Sequence, residues 1–167
     1  MPSQAALVSR ALNQYIVDNA KKTPNDFRNL KRLFENHSQD FDAECLRQFI
    51  LVSAKCFSRY AETDRGFKNM LDALANWIEA DPSSYSNDGL TTFAWGFSKL
   101  GIATMERLNL IARWINIGTL NLRQTATLMG AYARARIVNS RLFHALAQET
   151  ARKIRNAITS SQTLDSA

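Results

Sequence analysis

Leu71-Asp72-Ala73-Leu74-Ala75-Asn76-Trp77-Ile78 returns 37 residues later as Leu108-Asn109-Leu110-Ile111-Ala112-Arg113-Trp114-Ile115. Five of these eight positions are identical or close: Leu/Leu, Leu/Ile, Ala/Ala, Trp/Trp and Ile/Ile. A further shift of 35 residues reaches Phe143-His144-Ala145-Leu146-Ala147-Gln148-Glu149-Thr150, which keeps the first, fourth and fifth apolar sites. The preceding stretch moves in step. Phe93 to Ile102 aligns with Leu128 to Ile137, and more loosely with Cys56 to Asp64. A two-helix unit repeated at such a period is the signature of a solenoid, because one short amphipathic hairpin cannot bury its apolar face and stacked neighbours supply the missing surface. The expected fold is all-α, an α-solenoid segment of about four stacked helical hairpins with about eight helices. A non-repetitive bundle would also use Leu-x-x-Leu-Ala-x-x-Ile, since any core helix favours that spacing. Two tryptophans in one slot, with both helices of the unit displaced together, favour the repeat.

Outward from this unit, apolar residues recur at three and four, without sustained period-two alternation. Helices are predicted at about 4–20, 24–37, 42–61, 66–80, 88–101, 104–116, 122–136 and 140–158. Thr23-Pro24 places a capping hydroxyl before a proline at the first helical position, and Asp40 with Glu44 brackets the third start. Ser86 to Asp88, Thr104, Asn121 and Asn139 offer caps for the later helices. The clearest loop, Asp81 to Gly89, separates two halves of different charge. Residues 1–158 are expected to form one helical-repeat domain, less regular over 1–64 and clearer over 65–158, with 159–167 a small, polar, frayed tail.

Composition excludes several classes. The 167 residues are 46% hydrophobic with 6 Gly and 3 Pro, too apolar and too little punctuated for a linker. Residues 1–86 carry eleven basic and eleven acidic side chains, and residues 87–167 carry ten and four, so the whole net charge of +6 lies in the second half. Cys45 and Cys56 stand eleven positions apart in an apolar stretch, which reads as two buried thiols and points to a reducing setting. With two histidines, no zinc-site spacing exists, so neither a metal nor a cofactor is expected. No stretch of about 18 apolar residues suits membrane insertion. The first 22 residues lack the apolar core of a secretory signal; they read as an ordinary first helix or an amphipathic targeting segment.

The phrase Leu90-Thr91-Thr92-Phe93-Ala94-Trp95-Gly96-Phe97-Ser98-Lys99-Leu100-Gly101 resembles the first-helix signature of octotricopeptide and heptatricopeptide repeats, found in RAP-domain and FAST-kinase-like organellar proteins. The resemblance implies stacked hairpins, a mitochondrial or plastid address and RNA as the usual partner.

On a helical wheel, Leu90, Phe93, Ala94, Phe97 and Leu100 cluster on one side, while Trp95 and Lys99 project from the other. The Lys99 slot holds Arg134 in the next unit and Glu62 in the preceding alignment. Lys99, Arg134, Arg136 and Arg123 are therefore candidate phosphate contacts, and Trp95 a candidate stacking plane. Arg113 shares a slot with Asn76 and Gln148, the kind of variable polar position that one-base-per-repeat readers use. A solvated basic face, with Trp95 packed between units, explains the same pattern. Arg107, Arg141, Arg152, Lys153 and Arg155 extend the positive field. The chain has no glycine-rich phosphate loop, and no paired carboxylates beside a histidine. The expectation is a non-catalytic RNA-binding subunit of a mitochondrial matrix ribonucleoprotein, working with other protein subunits. A protein-binding scaffold anchored on Trp77, Trp95 and Trp114 is the alternative.

Overall fold

Hydrophobic periodicity near 3.6 is realised as two layers of helices in a computed structural model that describes residues 4–164. The elements are α1 (Gln4–Asp18), α2 (Pro24–His37), α3 (Ala43–Cys56), α4 (Ser58–Thr63), α5 (Arg65–Ala80), α6 (Asn87–Leu100), α7 (Met105–Trp114), α8 (Leu122–Ala135) and α9 (Ser140–Leu164), with short 3₁₀ turns between some of them. In one layer α1 packs on α3, α3 on α6 and α6 on α8. In the other, α5 packs on α7, and α9 closes the end against α8 and the 3₁₀ turn Ile117–Thr119. The fold is therefore all-α and built from stacked helical hairpins.

The starts of the helices follow their caps. Thr23 and Asp26 form a reciprocal capping box at α2, and Asn121 does the same with Gln124 at α8. Ser86, Thr104 and Asn139 accept from the backbone N–H of Gly89, Arg107 and Leu142. At the third start the cap is Asp42, which accepts from Cys45 N at 2.8 Å, rather than Asp40, which lies in a 3₁₀ turn. Asp64 caps α5 through Phe67 N at 2.8 Å.

Three expectations are corrected. The helix predicted over 42–61 is two helices, because the chain leaves the α conformation at Phe57 (φ −129°, ψ 16°) to bury that ring against Phe27. The last helix runs to Leu164, past residue 158, with Thr159 and Ser160 hydroxyls donating back to the carbonyls of Arg155 and Asn156; residues 165–167 lie outside the described ones. The third correction concerns register. α3, α6 and α8 are each 14 residues long and begin after Asp42, Ser86 and Asn121, so α6 is displaced 44 residues from α3 and 35 from α8. The stretch Cys56 to Asp64 is thus not a first helix but chiefly α4, an inserted turn and a half that lengthens this unit.

Matching C-terminal ends confirm the repeat. Gly101 (φ 70°) and Arg136 (φ 57°) close α6 and α8 in the left-handed region, and Ile102 N and Ile137 N donate to Phe97 O and Tyr132 O. On α6, Gly96 permits the close approach to α3, since a Cβ there would lie 2.2 Å from Ile50 Cγ2.

Candidate nucleic-acid interface

The shared register puts a cation in the same place three times. Lys55, Lys99 and Arg134 are the penultimate residues of α3, α6 and α8, all exposed, all in the last turn where a positive charge also complements the helix dipole. The equivalent of Lys99 in the preceding unit is therefore Lys55, and Glu62, on the inserted α4, does not hold that slot. Neighbouring helix axes lie about 8–10 Å apart, so these cations form a ladder across the outer surface of the first layer.

Trp95 stands one turn before Lys99 on α6. It is half-buried, packed on the core, and lines a shallow groove of about 150 Å³ with Leu51 and Lys55 of α3, Thr92, and Arg123 and Thr127 of α8. No carboxylate lines this groove. Glu44 and Asp88 lie at the other end of this layer, where Arg47 binds Glu44 at 2.6 Å and Asp88 at 3.4 Å. Arg47 draws the Glu44 carboxyl below the usual carboxylate range, mainly through that hydrogen bond. Among the described residues, Lys55, Lys99, Arg123, Arg134 and Arg136 make no ion pair. Arg136 is exposed at the end of α8 beside Arg134.

Arg113 is not brought to this face. It lies on α7 in the second layer, lining a separate cleft of about 460 Å³ with Arg141, Asn109 and Asn139. Asn76, in its repeat slot, accepts from Arg107 at 3.3 Å, and Gln148 is exposed on α9. Other cations of the second half are committed to structure. Arg107, 13% exposed, spans from α7 to α5, donating to Asp72 at 2.8 Å, Glu79 at 2.6 Å and the Ile102 carbonyl at 2.9 Å. Arg152 and Lys153 bind Glu149, whose carboxyl is drawn down to about 2, chiefly by Arg152. The positive field is consequently narrower than the count of basic residues suggests.

Both thiols are set in the fold: Cys45 is buried, Cys56 half-buried and donating to Ala20 O, and burial pushes each above its ordinary value. No described helix is long and apolar enough to cross a membrane.

Lys55 escaped the sequence reading because the α4 insertion hides the displacement of 44. The signal was present in the caps: Asp42, Ser86 and Asn121 each precede their cation by 13 residues. Compared with protein-family models, curated proteins and solved structures, the chain gives no match. The octotricopeptide resemblance rests on the residues from Leu90 to Gly101.

Proposed function

We propose that this chain is a non-catalytic helical-repeat protein that binds single-stranded RNA along the outer face of its first-helix layer, as a subunit of a mitochondrial ribonucleoprotein. The observation that carries the reading is the in-register ladder Lys55, Lys99 and Arg134 beside the Trp95 groove, with Arg123 at its rim and no carboxylate in its lining. Cations on adjacent helices match a polyanion that crosses them, and an aromatic plane between cations accepts a base whatever its identity. Stacking on Trp95 makes Trp95→Ala lose roughly tenfold or more in affinity for an unstructured oligonucleotide. Fluorescence anisotropy with a labelled single-stranded RNA tests it. Equal affinity of the wild type and Trp95→Ala removes the stacking role, and absence of binding at low salt removes the reading. The organellar setting is supported by the resemblance carried by Leu90 to Gly101.

A protein-binding role has one observation of its own. Trp77 and Trp114 occupy one repeat slot on the second layer and are 43% and 52% exposed. Partner capture that survives nuclease and high salt, and is lost on Trp114→Ala, would assign that layer to protein.

A further inference from the structure

The caps set α7 and α9 in one register. Thr104 accepts from Arg107 N and Asn139 from Leu142 N, so Leu142 stands where Arg107 stands one unit earlier. By the 37-residue repeat, the α7 counterparts of Asp72 and Asn76 are Asn109 and Arg113. Between α5 and α7 this slot is lined by acids and bridged from within, Arg107 reaching Asp72 at 2.8 Å, Asn76 at 3.3 Å and Glu79 at 2.6 Å. Between α7 and α9 the same slot is reversed in charge. The acid has become Asn109, the neutral amide Arg113 and the bridging cation Leu142, and all three line the cleft of about 460 Å³. α9 adds the exposed Arg141 from the opposite wall, and no residue of the lining is acidic. Among the described residues neither Arg113 nor Arg141 makes an ion pair.

Hydrogen bonds make the remaining polar group a donor as well. The Leu142 N–H fixes Asn139 Oδ1, so Asn139 Nδ2 turns to Asn109 and donates to its Oδ1 at 2.8 Å, while the Tyr132 hydroxyl approaches the same oxygen at 3.3 Å. Asn109 Nδ2 is thereby left without a partner among the described residues, on a side chain that lines the cleft. We infer that this cleft binds a small phosphate monoester, its phosphate on Arg113, Arg141 and Asn109 Nδ2 and its organic body on Ala112, Ile117 and Ala145. One guanidinium fork satisfies a carboxylate. Two forks and an amide, brought from two helices, match a tetrahedral oxyanion with a charge of about −2. The cleft falls within the roughly 300–1,000 Å³ of small-molecule sites, more than a bare phosphate fills, and its floor is apolar. It lies on the second layer, away from the cation ladder, and does not depend on the RNA reading.

An amide NMR titration of the nuclease-treated chain with phenyl phosphate and, separately, with inorganic phosphate tests the site, at about 0.15 M salt to screen the exposed ladder. Expected is saturable binding of phenyl phosphate with shifts centred on Asn109, Arg113, Arg141 and Ala145, at least about threefold tighter than inorganic phosphate because the ring covers the apolar floor. Arg113→Gln and Arg141→Gln should each weaken it about tenfold or more. Asn109→Asp keeps the oxygen that Asn139 and Tyr132 use and replaces the donor by an anion, as at Asp72; it should abolish binding at unchanged helicity. Lys99→Glu with Arg134→Glu should leave phenyl phosphate binding unchanged, so the site and the RNA face fail separately. The proposal is overturned by absence of saturable binding up to about 10 mM, or by shifts spread evenly over Lys55, Lys99 and Arg134. Inorganic phosphate bound as tightly as the ester, Asn109→Asp behaving as the wild type, or displacement of the ester by a single-stranded oligoribonucleotide overturns it equally.

Discussion

Two glycines in first helices have opposite roles. Gly96 lies where α6 crosses α3, and a methyl group there would overlap Ile50 Cγ2. Gly96→Ala is expected to cost about 1–3 kcal/mol through overpacking, and in a double-mutant cycle with Ile50→Ala the two changes should be coupled. Gly130 has nothing within 4 Å of a built Cβ and an ordinary helical backbone, so Gly130→Ala should stabilise by about 0.5–1 kcal/mol. Thermal denaturation separates the two. Tyr132 is fully buried and donates to Leu108 O at 2.8 Å, and burial raises its hydroxyl to about 12 from 10.0. A group whose folded pKa lies above its unfolded value stabilises below the unfolded pKa and loses that contribution as pH rises to the folded one. Stability should therefore fall between pH about 10 and about 12 in the wild type, and this fall should be smaller in Tyr132→Phe, where Tyr85, also raised by burial, still contributes; the substitution costs about 1 kcal/mol at neutral pH. The sequence shows Tyr132 as an apolar slot of the repeat. Its acceptor, a carbonyl on another helix, is a matter of tertiary placement.

At the scale of elements, periodicity and caps were legible and junctions were not. Eight helices could be placed from their apolar period, and five of their starts carry Ser, Thr or Asn caps whose effect is local. The break at Phe57 is a tertiary event, since leaving the helix places that ring in a cluster with Phe27 and Tyr60. Missing that break displaced one register, and with it the slot of Lys55. The fate of Arg107 was equally hidden: its position on α7 resembles any surface arginine until α5 is brought alongside. Arg107→Met is expected to cost about 1–3 kcal/mol, because Asp72 and Glu79 are left facing each other without their shared cation. Urea denaturation measures it. An equal cost for Arg113→Met, an arginine on the same helix in the α7–α9 cleft, would show that the α5–α7 bridge has no special weight.

For the whole molecule, the net charge of +6 matters less than which cations remain uncompensated. Lys31, Arg47, Arg107, Arg152 and Lys153 are engaged by carboxylates, while the cations of the second half without an ion pair among the described residues include Lys99, Arg123, Arg134 and Arg136 on the first layer and Arg113 with Arg141 in the cleft of the second. The sequence revealed the total charge and the Lys99–Arg134 pair; the assignment to layers needed the fold. The decisive measurement is therefore the salt dependence of binding to an unstructured single-stranded RNA, compared between two charge reversals of equal size. Contacts from Lys55, Lys99, Arg123 and Arg134 predict a log–log slope near −3 for the wild type. Lys99→Glu with Arg134→Glu should make that slope shallower by about 1.4 or more and weaken binding to all sequences alike, while Arg113→Glu with Arg141→Glu leaves the slope unchanged. A flat salt dependence, or a larger loss from the Arg113 and Arg141 pair, would contradict the assignment of RNA to the first-helix layer.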